Sequence, residues 1–264
     1  KAITEFQMIE NGDRIAVGVS GGKDSVALLA GLHLLRRFIG IDYEIVALTL
    51  DPGFNGKETY YSTIAALCAQ YDIPYEVRRT QIGKIVFDER KEKHPCSLCA
   101  RLRRGALHDA ARELSCNKLA LGHHYNDVVE TFMMNLFNEG RIGCFAPVTY
   151  LSRKDLTMIR PLIFAPEKEI SAAVRRNALP VVKSVCPADG ATSREDMKTF
   201  LREREREDKG FTYRMFGALR RSGVDGWDIR KTESAIRKQT ERYARTAIRL
   251  IPKQARSFFK EDFS

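Results

Sequence analysis

The sequence predicts an α/β protein built on a doubly wound parallel sheet, with basic helices added at the C-terminus. Three observations carry this. Short, β-branched apolar runs alternate with longer segments of helical periodicity over roughly the first 190 residues. These runs are apolar throughout, as in strands covered on both faces. Positive charge gathers at the other end: of a formal net charge of +10 over 264 residues, 13 Lys/Arg against 4 Asp/Glu lie between Arg214 and Lys260.

Taken in order, residues 1–11 read as a short amphipathic helix with Ile3, Phe6 and Ile9 on one side, closed by the turn Asn11-Gly12-Asp13. Arg14 to Ser20 is a buried strand, Val26 to Phe38 a helix, and Tyr43 to Asp51 a second buried strand. Residues 57–71 are helical and Tyr75 to Thr80 form a third strand. Residues 81–99 break the rhythm and read as a loop ending in His94-Pro95-Cys96-Ser97-Leu98-Cys99. A helix over Ala100 to Leu114, a strand over Lys118 to Gly122 and a helix over Asn126 to Phe137 follow. Met158 to Leu162 reads as an edge segment because of its proline. Glu167 to Asn177 is helical and Pro180 to Val185 a last short strand. The expected division is an α/β domain over 1–190 and a helical basic extension over 191–264. That extension holds a charged helix, Arg194 to Lys209, and an amphipathic basic helix over 228–251.

Composition excludes several classes. At 44% hydrophobic residues the chain is globular, and no apolar run approaches the roughly 20 residues that span a bilayer. No secretory leader is visible and six cysteines are present, so the expectation is a cytoplasmic protein without a disulfide framework. The basic end suggests a nucleic acid partner rather than a membrane.

Ser20-Gly21-Gly22-Lys23-Asp24-Ser25, between a buried strand and a helix, has the chemistry of a phosphate cradle. Two glycines let the backbone turn tightly and approach an anion, and the helix behind supplies free N–H groups. Ser20 and Ser25 add hydroxyls and Lys23 a charge; Asp24 suits a Mg²⁺ partner or a helix-start acceptor. The motif is neither G-x-x-x-x-G-K-[ST] nor G-x-G-x-x-G. Cys96-x-x-Cys99 is compatible with metal, with a redox disulfide or with no function, and no second C-x-x-C exists for a four-cysteine zinc site. Cys68, Cys116 and Cys144 read as small core residues.

SGGKDS in this position resembles the PP-loop, or N-type ATP pyrophosphatase, superfamily (adenine nucleotide alpha-hydrolase-like). The resemblance implies cleavage of ATP between the α- and β-phosphates, leaving an adenylated substrate. It also implies adenine contacts from backbone near Leu48 and further nucleotide contacts from Gly122 and His123. Gly122-His123-His124-Tyr125-Asn126-Asp127 resembles that superfamily's second motif, with Asn126 replacing its first aspartate and Asp127 retained. SGGKDS, Leu50 to Phe54, Cys96 to Gly105, GHHYND, Ile159 to Leu162 and the late Cys186 together resemble the TtcA family of tRNA 2-thiocytidine synthases over about residues 1–220. A second C-x-x-C around the late cysteine, seen in better-known members, is absent.

That resemblance implies an ATP-dependent tRNA sulfurtransferase acting on cytidine 32, with a [4Fe-4S] cluster on Cys96, Cys99 and Cys186. Lys23, Asp24 and Asp127 are the implied catalytic groups, with Asp24 and Asp127 on Mg²⁺. Arg101, Arg103 and Arg104 are expected to hold RNA phosphates and to lower the thiolate pKa values beside them. The implied partners are tRNA and a sulfide donor, either a cysteine desulfurase or free sulfide; an amphipathic end could serve a homodimer. The alternatives are a uridine thiolase, an amidating or lysidine-type ligase, a nucleotide-sensing RNA-binding module, and zinc in place of the cluster.

Overall fold

The computed structural model describes residues 1–54, 59–91, 95–188 and 193–227. His94 and the amphipathic segment expected over 228–251 lie outside the described residues.

Strands β1 (Asp13–Gly18), β2 (Tyr43–Asp51), β3 (Tyr75–Arg79), β4 (Lys118–Ala120), β5 (Val148–Leu151) and β6 (Leu156–Ile159) form one sheet in the order β3-β2-β1-β4-β6-β5. All neighbours run parallel except the β5–β6 pair. Side-chain alternation divides the core. Ile15, Val17, Ile45, Ala47, Ala120 and Ile159 join one apolar cluster, while Ala16, Val46, Leu48, Leu119 and Met158 join another. The first lies under helices α2 (Lys23–Leu35), α3 (Ser62–Gln70) and α5 (Tyr125–Glu139), the second under α4 (Pro95–Glu113). Burial on both faces is why the strands are apolar throughout.

Several boundaries differ from the sequence expectation. The N-terminal helix is one turn, α1 (Ala2–Glu5), because the chain bends at Gln7, φ 47°, to bury Met8 and Ile9. The expected loop 81–99 holds a π-helical turn, Lys84–Glu89, and α4 begins at Pro95, so Cys96 and Cys99 stand inside its first turns. Proline suits that position because its fixed φ fits the helix and its missing N–H has no partner to lose there. The proline-bearing segment is not an edge: β6 ends at Ile159, before Pro161, and lies between β4 and β5. The edge on that side of the sheet, β5, is half-exposed and only four residues long, so it leaves little apolar signal. Residues 180–185 form no strand; Val182 N–H donates to Gly21 O, in the loop after β1, at 2.9 Å.

Helix α6 (Glu167–Arg176) packs on α2. Helices α7 (Ser193–Glu207) and α8 (Phe211–Ser222) lie beside α5, and their Met197, Leu201, Phe216 and Leu219 join the main cluster with Trp227. Among the described residues no helix is long and apolar enough to cross a membrane.

Candidate functional site

The chain runs outward from β1 to β3 and then returns to β4 on the other side of β1. The carboxyl ends of β1 and β4 therefore flank the point where strand order reverses, the usual ligand position in such sheets. Both sequence motifs stand there, SGGKDS after β1 and GHHYND after β4.

Gly22 caps α2 from an extended conformation, and Gly21 turns the chain with φ +86°. Ser25 Oγ donates to Gly22 O at 2.8 Å and Ser20 Oγ lies 3.3 Å from it, which shapes the loop. Gly122 has a different reason. A Cβ there would lie 3.1 Å from the backbone of Asp24 and Ser25, a tight contact, so glycine lets the β4 loop lie against the start of α2 without displacing it.

A cavity of about 630 Å³ opens between the motifs. Ser20, Gly22, Asp24, Ser25, Leu48, Gly122 and His123 line it, with Arg103 and Arg104 from α4. Gly21, Lys23, Asp127 and Arg101 stand outside its lining. The sequence reading overlooked its far wall: His108 on α4, Thr131, Phe145, Met158, Arg160 and Arg194. Arg160 was the most accessible to inference, as a charged residue closing an apolar strand. It lies over Phe145, 5.0 Å from the ring centroid, and burial lowers its pKa to about 10. His123 packs 4.8 Å from the same ring, and burial, with Arg160 nearby, lowers its pKa to about 4, so it is neutral near pH 7.

Polar contacts bind the two motifs together. Lys23 Nζ donates to Asp24 at 3.0 Å and to Glu167 at 2.8 Å. Burial works against its charge, but the two carboxylates outweigh burial and raise its pKa. Asp24 supplies no side-chain cap to α2; it instead faces Lys23 and, at 3.7 Å, His124. His124 and Asp127 form a reciprocal cap of α5: His124 N–H donates to Asp127 at 2.9 Å and Asp127 N–H to His124 Nδ1 at 3.3 Å. Arg194 holds the other Asp127 oxygen at 2.9 Å. Asn126 Oδ1 accepts from Glu167 N–H at 3.0 Å. Below Asp127, Glu130 is buried, and burial together with Asp127 raises its pKa to about 7.

Cys68, Cys116, Cys144 and Cys99 are buried, Cys186 is half-buried and Cys96 is exposed. Cys68, Cys116 and Cys144 are buried, and burial raises their thiols, Cys68 to about 11 and Cys144 to about 12. Cys186 packs on the apolar cluster that contains Cys99, Leu50 and Phe54, while Cys96 is exposed. Cys99 does not follow the expected lowering of thiolate pKa: burial raises it, and Arg103, with Cys186 and Cys96 opposing, does not reverse that. Among the described residues no three His, Cys, Asp or Glu side chains are gathered tightly enough to hold a metal ion. Cys96 and Cys186 both lie near enough to Cys99 to act on its thiol, and Ala100 and Arg103, one and four residues further along α4, line the cavity.

Residues 1–204 match the PP-loop domain family. The tRNA-cytidine(32) 2-sulfurtransferase of Geobacter metallireducens is 41% identical over 222 residues, 83% of this chain and 86% of that protein. The protein of that name from Syntrophotalea carbinolica is 39% identical over 222 residues, 83% of this chain and 85% of its own. Among solved structures, the U34-tRNA thiolase NcsA from Methanococcus maripaludis, with its [4Fe-4S] cluster, matches at TM-score 0.68 and 26% identity, over 83% of this chain and 75% of that one.

Proposed function

The chain belongs to the PP-loop family, and within it to the tRNA-cytidine(32) 2-sulfurtransferases; from that premise we propose that it thiolates a tRNA cytidine, at position 32, after activating it with ATP. The observation that carries this reading is the junction of SGGKDS and GHHYND at one cavity, with Cys99 and Cys186 packed together at its side.

The phosphates of ATP lie along Ser20 to Ser25, with the free N–H groups of α2 facing them and adenine toward Leu48. The base's C2 oxygen attacks the α-phosphorus, forming the O–AMP bond and releasing pyrophosphate. Lys23 and the loop N–H groups stabilise charge on that leaving group. Sulfur then bonds to C2 and AMP departs with the oxygen. Asp24 meets Mg²⁺ in this reading, supported by its position in the cavity lining. Asp127, held by His124 and Arg194, enters as the group that orients His124 against Asp24. Cys96, Cys99 and Cys186 are the donor set this reading uses, supported by the packing of Cys186 on the apolar cluster around Cys99 and by Cys96 one helical turn before it. Held by these thiolates, a [4Fe-4S] cluster would supply iron to carry sulfide from a desulfurase or from solution. Arg103 and Arg104, at the cavity wall, receive the phosphates flanking the base.

The test is anaerobic purification with iron and sulfide analysis, together with nucleoside analysis of tRNA from a deletion strain. Loss of 2-thiocytidine on deletion, restored by the wild-type gene and not by Cys186→Ala, is expected. Unchanged 2-thiocytidine refutes the reading, and iron retained in Cys186→Ala refutes the ligand set.

A further inference from the structure

We propose that Glu167 is a positioning residue of the nucleotide site, acting through Lys23; the proposal rests on the ATP-binding reading above. Glu167 is the first residue of α6 and belongs to neither motif. Its carboxylate nevertheless accepts from Lys23 Nζ at 2.8 Å, the shortest of that ammonium's contacts.

The surroundings fix Glu167 from the other motif. Its backbone N–H donates to Asn126 Oδ1 at 3.0 Å, and Tyr125 N–H donates to Ala165 O at 3.1 Å, so the start of α6 is pinned to the start of α5. Asn126 is the position where this chain departs from the two-aspartate pattern. As an amide held against a helix N–H, it fixes where Glu167 begins rather than presenting a charge to the cavity. Two carboxylates, Asp24 and Glu167, then bracket one ammonium from two elements. A lysine side chain has many rotamers, and such a bracket removes much of that freedom before a phosphate arrives. The farther end of the same segment also meets the loop, through Val182 N–H and Gly21 O.

Glu167 carries a charge as well as a hydrogen-bond acceptor, and the charge opposes a polyphosphate. Glu167→Gln removes the charge and keeps an acceptor for Lys23, whereas Glu167→Ala removes both. The difference between these two variants therefore isolates positioning. ATP dissociation constants from calorimetry on the full chain, without tRNA, read it directly. With Lys23 present, Glu167→Ala is expected to bind ATP about tenfold more weakly than Glu167→Gln, the lower end of the scale of one hydrogen bond to a charged group. In a Lys23→Ala background the two variants are expected to bind equally, because the effect passes through Lys23. The half-exposed side chain predicts melting temperatures close to wild type; should Glu167→Ala fail to fold, Glu167→Ser serves the same comparison. Equal binding by the two variants beside an intact Lys23, or a difference that survives Lys23→Ala, overturns the proposal while leaving ATP-dependent thiolation standing. Absence of ATP binding by the wild-type chain overturns both.

Discussion

Gly12 and Gly21 share a backbone conformation, φ +83° and +86°, and differ in what surrounds them. A Cβ on Gly12 meets nothing within 4 Å, whereas one on Gly21 lies 2.8 Å from Val182 Cβ. Gly12→Ala therefore carries only the cost of a left-handed alanine, about 1 kcal/mol. Gly21→Ala adds overpacking of about 1–3 kcal/mol, for a total near 2–4 kcal/mol. Part of this strain is relieved by moving the segment that ends at Cys186, so weaker ATP binding and lower thiolation are expected together. Equilibrium urea unfolding of both variants measures the difference. The double variant Gly21→Ala, Val182→Gly is expected to recover the overpacking part and keep the conformational part. Equal losses in Gly12→Ala and Gly21→Ala would refute the contact, and with it the argument that residues 180–186 press on the loop.

Glu130 carries a pH signature. Its folded pKa of about 7 exceeds the unfolded value near 4.5, so the native state holds the proton more tightly and its stability falls as pH rises from about 4.5 to 7. Glu130→Gln should accordingly be more stable than wild type at pH 8, by on the order of 1–3 kcal/mol, with the advantage shrinking toward pH 5 in unfolding experiments. Arg104→Gln is expected to weaken tRNA binding and to lower the slope of log affinity against log salt by about one, as for loss of one phosphate contact; an unchanged slope would remove Arg104 from the RNA surface. Asp127→Asn should weaken the reciprocal cap on α5 and free Arg194, lowering stability by about 1 kcal/mol or more in thermal melts and loosening His124 against Asp24.

Patterns of short range were legible from the chain. The apolar runs of β1 and β2, the glycine turn and the serine-flanked lysine gave the sheet, the phosphate loop and its place after β1, because each rests on neighbours within a few residues. Cys68, Cys116 and Cys144 read as core residues because they stand outside the C-x-x-C pair and the late cysteine, and they are buried. Strand β5 and the start of α4 were not legible, since a four-residue half-exposed edge and a proline-led helix start look like loop.

The contacts that tie the site together span long distances in sequence, and no local pattern encodes them. Asn126 reads as a degraded metal ligand until α6 is seen to begin on its side-chain oxygen. Glu167, 144 positions after Lys23, becomes its partner only because α6 packs on α2. Arg160 and His123 meet Phe145 only once β6 lies beside β4. The sequence by itself determined the sheet and the phosphate-binding loop, since short-range sterics and burial decide those. Tertiary structure alone decided which charges face one another, because strand order and helix packing set the distances on which ion pairs depend.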